Sequence, residues 1–460
     1  MGTEYITSIS YSTDGGKTWN TTNNTDNKIQ NAVITVSVSE GDKVLWKGDA
    51  TQLGFYDNNE SDSVGSFFSS TCEFDVQGNI MSLLYGDNFK GKTTIENESA
   101  FSLLFSDYSA VKTCGVVNAK NLSLPATILV DSCYYSMFAN CTSLITAPEL
   151  PATTLAERCY KTMFYRCTSL TTAPKLPAKM LANYCYRGMF WNCTSLTTVP
   201  SILPATTLTS YCYCSMFQGC MSLTTAPELP ATTLADYCYE NMFKECTSLT
   251  TAPTLPATIL AERCYNGMFS DCINLTKAPE LPATTLANGC YGVMFSGCTN
   301  LTVAPQLPAT TLGQWCYSYM FSGCTSLTIA PELPARTLDY RCYSYMFSGC
   351  TSLTTPPELP VTTLTNGCYE HMFEECKNLT VAPELPATTL VSNCYVSIFR
   401  GCTSLNYIKA MFTTTPSNSY TQNWVNGVAS SGTFVKNSAA SWDVTGNNGI
   451  PTNWTVQTAS

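Results

Sequence analysis

A repeat of 26 residues runs through most of this chain and constrains its fold more than any other feature. The pair Cys-Tyr begins eleven times, and consecutive copies are 26 residues apart except for one step of 27 residues. A second cysteine follows eight residues after the first in every copy, so 22 of the 25 cysteines belong to the pattern. A fixed period of roughly 20 to 50 residues predicts a solenoid, in which each unit packs only against its neighbours.

Each unit has two parts with different patterns. Leu155, Cys159 and Met163 are four residues apart, and this spacing predicts a helix that starts after Pro151 and ends near Cys167. Residues 169–173 are rich in β-branched side chains and predict one short strand, which the following prolines end because they cannot donate to a sheet. The fold class expected is therefore an α/β repeat: a leucine-rich-repeat solenoid of about eleven 26-residue strand-plus-helix units.

The segments before and after the repeats have different sequence patterns, so the chain is predicted to have four parts. These are a β-rich N-terminal domain (1–85), a degenerate capping repeat (86–130), the solenoid (131–405) and a C-terminal cap (406–460). Short strands are expected in the N-terminal domain at 6–11, 32–38, 43–46 and 72–76. After the repeats, the sequence predicts a short helix within 420–428, followed by residues 432–436, and then a final loop and strand around Trp442 and Trp454.

Residues 12–19, Ser-Thr-Asp-Gly-Gly-Lys-Thr-Trp, predict a hairpin because Asp14, Gly15 and Gly16 tolerate positive φ. The segment also resembles the Asp-box hairpin of sialidase-type propellers. There the motif is a folding device that recurs in each blade, whereas this chain has one copy and no further blades. It is the basis for one alternative function, a hydrolase that acts on glycans.

The repeat unit resembles the BspA-like leucine-rich repeats, whose motif pairs Ile-Pro with Ala-Phe-x-x-Cys and a following leucine. The matching residues here include Leu176-Pro177, Met189-Phe190, Cys193 and Leu196. Two departures are the longer period and the Met in place of Ala before the Phe. The resemblance covers about 300 residues. It implies recognition and attachment without catalysis, as in the surface adhesins of gut anaerobes and similar proteins of their phages.

The cysteines of the repeats are interpreted as small buried apolar side chains. On a helix, the two in one unit would be about 12 Å apart, and helices in stacked units pack roughly 8–10 Å apart, so neither spacing suits a bridge. A disulfide ladder between units and a metal site stay open as alternatives, although the Cys-x7-Cys spacing matches no common zinc site. Cys214 lies outside the pattern and is the candidate for a reactive thiol.

The glutamate of Pro-Glu-Leu-Pro recurs between units and would form a row of like charges along the edge of the strands. The row is expected to be solvated, with a Ca²⁺-assisted contact as the alternative because that ion prefers oxygen ligands. Its members are Glu149, Glu228, Glu280, Glu332, Glu358 and Glu384.

The candidate ligand-binding residues are those that vary between units while the core does not. They flank Cys-Tyr and follow Met-Phe, and on a helix they would face away from the core and form the convex surface. Aromatic residues and arginine at such positions are typical of binding surfaces. The candidates are Tyr165, Arg166, Tyr184, Arg187, Trp191, Trp315, Tyr319, Tyr340 and Tyr345; Lys161 and Arg341 occupy positions of the same kind, and the tenth unit adds Glu370, His371, Glu374 and Glu375. The strand face, rich in Thr and Ser, is the competing surface.

Composition restricts the partners. Twenty-three basic and 33 acidic residues give a net charge of −10, which disfavours nucleic acid, and the single histidine leaves little imidazole chemistry. No membrane span, signal peptide, cofactor, metal or catalytic constellation is expected. The partner expected is a surface protein or glycan of a host or neighbouring cell, with the N-terminal domain attached to a cell envelope or a virion. A purely structural spacer is a further alternative.

Overall fold

The computed structural model describes residues 8–23, 34–48, 54–55, 64–65, 67–106 and 115–459, and the chain divides into two compact units, Met1–Pro200 and Ser201–Ser460. The strands of the first unit are β1 (Ser8–Ser12), β2 (Asn20–Asn23), β3 (Leu45–Gly48), β4 (Gly54–Phe55), β5 (Val64–Gly65), β6 (Phe74–Asp75), β7 (Gly78–Asn79), β8 (Val116–Asn118) and β9 (Leu122–Ser123). Helix α1 (Ser82–Tyr85) and a 3-10 turn (Gly86–Asn88) follow β7. The second unit contains β10 (Tyr407–Ala410), α2 (Asn418–Thr421), β11 (Thr433–Lys436) and β12 (Thr455–Thr458).

The N-terminal part of the first unit is built on a three-stranded antiparallel sheet in the order β2-β1-β3. The predicted strands at 6–11, 43–46 and 72–76 correspond to β1, β3 and β6. Residues 34–38 alternate apolar and polar side chains, but they form no strand, so that prediction is wrong for the described part of 32–38. The alternation was insufficient because a strand also needs a neighbour to pair with.

The predicted hairpin after β1 is confirmed. One carboxylate oxygen of Asp14 accepts the N–H groups of Lys17 (2.9 Å) and Thr18 (3.0 Å), and the other accepts the Thr18 hydroxyl (2.6 Å). These hydrogen bonds, led by the one from the Thr18 hydroxyl, lower the pKa of Asp14 to about 2. Gly15 and Gly16 have φ of 76° and 87°. The carboxylate is occupied in holding the turn.

The helix predicted for each 26-residue repeat is wrong, and a run of overlapping tight turns replaces it. Between Ala156 and Cys167, every second N–H donates to the carbonyl three residues earlier, as from Met163 to Tyr160 (3.2 Å). Arg158, Thr162 and Arg166 have φ of 55°, 53° and 57°, values that no α-helical residue adopts. Positive φ at the third residue of alternate turns is the requirement of a type II turn. We call such a run a turn segment.

The remaining N–H groups of a turn segment bind the next repeat. Tyr160 donates to the Cys185 carbonyl (3.0 Å), Phe164 to that of Met189 (2.9 Å), and the same pattern recurs in the second unit. Half of the donors therefore close turns and half join neighbouring repeats, so the backbone polar groups are satisfied without a helix. Both arrangements place every fourth side chain on one side, which is why the apolar spacing indicated a helix.

The strand of each repeat is reduced to isolated parallel bridges. Thr146, Thr172 and Thr198 pair in succession on one side of the first unit, and Thr225 pairs with Thr251 in the second. Proline lies two residues after each of these bridges and limits their length, since it cannot donate a hydrogen bond. The surface that carries these bridges is called the strand face, and the surface outside the turn segments is called the turn face.

The core within each unit consists of side-chain columns, as the repeat predicted. Phe138, Phe164 and Phe190 stack with ring centres 5.6 and 5.5 Å apart, and Tyr343 and Tyr369 in the second unit stack at 6.0 Å. The rings of each column are nearly parallel, and the methionine and cysteine side chains of the repeats beside them are fully buried. Burial of a Phe or Met side chain contributes about 1.5–3 kcal/mol, so every repeat gains stability from the columns.

The two cysteine columns have different environments. Free second cysteines of the repeats point their thiols at the phenylalanine carbonyl of the preceding repeat, as from Cys167 to Phe138 (3.1 Å) and from Cys298 to Phe269 (3.1 Å). The described cysteines are buried free thiols, apart from exposed Cys72 and from Cys141, which is disulfide-bonded. The interpretation as buried apolar side chains is therefore confirmed for these free thiols of the repeats, and the thiol also supplies a weak donor to the neighbouring repeat.

The C-terminal part of the second unit forms a parallel three-stranded sheet in the order β10-β11-β12. Three tryptophans are buried beneath it. The indole N–H groups of Trp424, Trp442 and Trp454 each donate to a backbone carbonyl at 2.8–3.2 Å. The predicted final strand is confirmed as β12, and residues 432–436 contain β11, whereas the predicted helix is reduced to the single turn of α2, which the Ser417 hydroxyl caps.

Candidate ligand-binding surface

The structure places the predicted binding residues on the turn face. They form two groups, one in each of the two compact units. Trp315 and Tyr319 are 40% and 39% exposed, which is high for aromatic side chains beside a fully buried core. Tyr165, Tyr184 and Trp191 are partly exposed, and Arg166 is exposed. Residues that are 26 positions apart in the chain become neighbours in space because the turn segments stack in register.

The group in the first unit joins aromatic rings to guanidinium groups. The guanidinium carbons of Arg158 and Arg187 lie 5.0 and 5.8 Å from the ring centre of Tyr184. Arg166 lies 5.1 Å from the ring of Tyr165. At these distances a cation over a ring is attracted by about 0.5–1 kcal/mol at an exposed site. We call this group the basic-aromatic cluster: Arg158, Tyr165, Arg166, Tyr184, Arg187 and Trp191.

Trp191 is the largest ring of the basic-aromatic cluster. Its indole meets the Tyr165 ring edge-on, with centres 5.3 Å apart and planes at 62°. A Cβ on Gly188 would lie 3.6 Å from the indole and 3.2 Å from a methyl of Thr162. Because Gly188 carries no side chain, the backbone beside the indole is bare.

The group in the second unit contains a stack of three rings. Tyr319 and Tyr345 are 4.3 Å apart at 7°, and Tyr345 and His371 are 4.2 Å apart at 6°. These distances are shorter than in the core columns, so the rings touch face to face. We call these three residues the aromatic stack. Beside it, Trp315 meets Tyr340 edge-on at 5.2 Å.

Charged residues hold the aromatic stack in place. His371 is 2.8 Å from Glu374, whose other oxygen accepts a hydrogen bond from Arg400 (2.8 Å). Glu370 is 9% exposed and pairs with Arg341 at 3.1 Å. Burial, followed by the proximity of Tyr319 and of the acidic residues, raises the pKa of Tyr345.

Glycine makes room for arginine between successive repeats of the turn face. A Cβ on Gly367 would come within 2.7 Å of the Arg341 side chain, and one on Gly289 within 2.9 Å of Arg263. Each arginine lies across the glycine at the same position of the next repeat. Sequence reasoning named Arg341 but missed Arg263 and the stacked pair Tyr211 and Tyr237, whose rings are 4.5 Å apart. Arg263, Tyr211 and Tyr237 each directly precede a Cys-Tyr pair, and this position could have identified them as surface residues.

One of the variable positions is not on the surface. The second residue after the first cysteine is covered in several repeats: Lys161 is 5% exposed, Cys214 3% and Ser344 2%. The prediction that Cys214 is a reactive surface thiol is therefore wrong. A helix would point this residue outwards, whereas in a turn segment it packs against the adjacent repeat. The Cys214 sulfur lies 3.8 Å from a carboxylate oxygen of Glu240, which also disfavours the nucleophilic thiolate.

The strand face offers less chemistry. In the first unit it contains a shallow groove of about 460 Å³, lined by Glu73, Val117, Ser143, Ile145, Ser169, Thr171 and Ser195. The glutamates of Pro-Glu-Leu-Pro are exposed, and Glu384 pairs with Lys409 at 3.1 Å. Within the described residues, no three acidic, histidine or cysteine side chains come together to hold a metal ion. The Ca²⁺-assisted contact thus gains no support here.

Comparison with known proteins agrees with the repeat geometry. A family model for the BspA type leucine rich repeat region matches in six copies, at residues 113–224, 187–302, 213–354 and 316–424. A search of curated proteins gives no match. Among the described residues, no helix has the length and hydrophobicity needed to cross a membrane.

Proposed function

Because the chain belongs to the family of BspA-type leucine-rich-repeat proteins, we propose that it is a non-catalytic recognition protein whose turn face binds a surface protein or glycan. The family is one of surface-type repeat proteins, which supports a role in attachment. The Asp-box-like hairpin lends no weight to a hydrolase, since the hydrogen bonds of the turn already occupy the Asp14 carboxylate.

The observation that carries this proposal is the contrast between a uniform core and a varied turn face. Core positions hold the same tyrosine, phenylalanine and cysteine from repeat to repeat, whereas the turn face gathers Trp315, Tyr319 and Tyr340 within neighbouring repeats. Exposed aromatic side chains contribute large contact areas at low entropic cost and are enriched where proteins bind partners. Exposure of aromatic side chains to water is unfavourable in itself.

We place the protein on a cell surface or on a virion, with the N-terminal part of the chain as the attachment to the envelope or particle. In either setting the repeats would face the ligand. Antibodies against residues 131–405 should then block attachment to cells, whereas antibodies against residues 8–48 should not.

The test is binding to a glycan array and to intact target cells by wild-type protein and by Trp315→Ala and Tyr319→Ala variants. We expect each substitution to weaken binding at least about tenfold, the usual loss when a central aromatic residue is truncated. Ile329→Ala is the matched control, because Ile329 is 62% exposed but lies on the strand face. All variants should keep the unfolding midpoint of the wild type.

Two outcomes contradict the proposal. Unchanged binding in both aromatic variants would favour a structural spacer or a ligand on the strand face. Release of reducing sugar from an array glycan would indicate a hydrolase instead.

A further inference from the structure

The repeats of the first unit are basic although the chain as a whole is acidic. Residues 131–200 contain six lysines and arginines against three acidic residues, in a chain whose net charge is −10. At physiological salt, charges act over about 8 Å, so a ligand at this surface responds to the local excess and not to the net charge. Positive charge concentrated in this way needs an explanation in an acidic protein.

Five of the six residues of the basic-aromatic cluster also determine how the charge is presented. Arg158 and Arg187 lie over Tyr184, and Arg166 lies over Tyr165, so the rings hold the guanidinium groups in defined positions. Glu157 forms an ion pair with Arg158. Arg166 is exposed to solvent. A preorganised guanidinium binds carboxylate and sulfate through two parallel hydrogen bonds.

Trp191 supplies the other half of the recognition chemistry. Trp191 is partly exposed, and Gly188 adds no side chain beside its indole. A pyranose ring stacks on an aromatic ring through its C–H groups, and the neighbouring arginines are then within reach of its acidic substituents. A site that combines an aromatic ring with arginine suits an acidic sugar. It suits an apolar peptide or a neutral sugar less well.

We infer that the basic-aromatic cluster binds an anionic polysaccharide, whose sugar ring stacks on Trp191 and whose carboxylate or sulfate groups pair with Arg166 and Arg187. This inference rests on the proposed function, because it names the ligand class for one part of the turn face. It is independent of Trp315 and of the aromatic stack, which belong to the second unit.

The experiment measures binding of the full chain to immobilised polymers by interferometry, from 50 to 500 mM NaCl. The probes are a sulfated glycosaminoglycan, a polyuronate, polyphosphate and neutral dextran. We expect the two anionic polysaccharides to bind and dextran not to bind, with affinity falling as salt rises. Arg166→Gln combined with Arg187→Gln should reduce affinity at least about tenfold and flatten the dependence on salt. Trp191→Ala should reduce affinity without flattening it.

The matched control is Lys175→Gln combined with Lys179→Gln, which removes the same charge from exposed residues outside the turn segments. It should bind as the wild type does. An equal loss in this control would mean attraction by net charge alone and would overturn the inference, as would binding of polyphosphate only. Binding of dextran that depends on Trp191 would also overturn it but leave the proposed function intact. If no polymer binds while Trp315→Ala still weakens cell attachment, the inference alone fails.

Discussion

Replacing Gly323 with alanine distinguishes a turn segment from a helix by the sign of the effect. Gly323 precedes Cys324 and has φ of 74°. If the segment were helical, Gly→Ala would stabilise the protein by about 0.5–1 kcal/mol, because glycine loses more backbone entropy on folding. In a turn segment, an L-residue at this φ is strained by about 1–2 kcal/mol.

The structure isolates the strain from other effects at this position. A Cβ on Gly323 would lie 3.6 Å from its nearest neighbour, an ordinary contact, so there is no clash. The Gly323 N–H donates to the Ser348 carbonyl (2.7 Å), and alanine keeps that hydrogen bond. The restricted unfolded chain offsets about 0.4–1 kcal/mol of the strain. We therefore expect Gly323→Ala to be less stable by about 1 kcal/mol.

Urea unfolding followed by tryptophan fluorescence and circular dichroism measures this difference. Repeat proteins can unfold in more than one step, so the two signals should be compared before a free energy is derived. Ser322→Ala is the control, since Ser322 is the preceding residue and has no positive φ. It should leave the midpoint unchanged. A midpoint that rises in Gly323→Ala would refute the assignment of turn segments.

Three further predictions concern packing and ionisation. Tyr291→Phe should leave the free energy of unfolding unchanged or raise it by up to about 1–2 kcal/mol, because the buried Tyr291 hydroxyl has no hydrogen-bond partner; a loss above that size in urea unfolding would contradict this. Gly367→Ala should destabilise by about 1–3 kcal/mol more than Gly323→Ala, since its Cβ would displace Arg341 from Glu370; equal losses would argue against the arginine packing. Burial raises the pKa of the column thiols, to about 12 for Cys133 and about 11 for Cys394, so they stay protonated while unfolded thiols ionise. Stability should thus fall as pH rises above about 8.5, by about 1.4 kcal/mol per pH unit for each such thiol, and a midpoint constant from pH 8 to 10 would contradict it.

The core was predictable because it depends on composition at fixed spacing. Any compact stacking of 26-residue units brings Phe138 next to Phe164 and buries the cysteines between them. The same register carried the prediction of the binding surface, since it brings Tyr319 beside Tyr345. The close contact of these rings with His371 was not predictable, because side-chain direction depends on backbone angles that the repeat spacing does not specify.

Local backbone conformation was the weaker part of the prediction. Apolar residues at every fourth position suit both a helix of 3.6 residues per turn and a succession of turns that repeats after four residues. Over the thirteen residues from Leu155 to Cys167, the two periods differ too little to be told apart. The burial of Cys214 was missed for the same reason, because its direction follows from the type of backbone and not from its place in the repeat.

The sequence by itself determined the repeat unit, the columns of the core, the family and the positions that vary on the surface, since each of these depends on periodicity alone. Only the tertiary structure decided that half of the N–H groups in a turn segment bind the neighbouring repeat. Those hydrogen bonds stabilise residues such as Arg158 and Thr162 at positive φ, a conformation that an isolated unit would not keep. The backbone of one repeat is therefore determined by its contacts with the next, and no single unit of sequence contains that information.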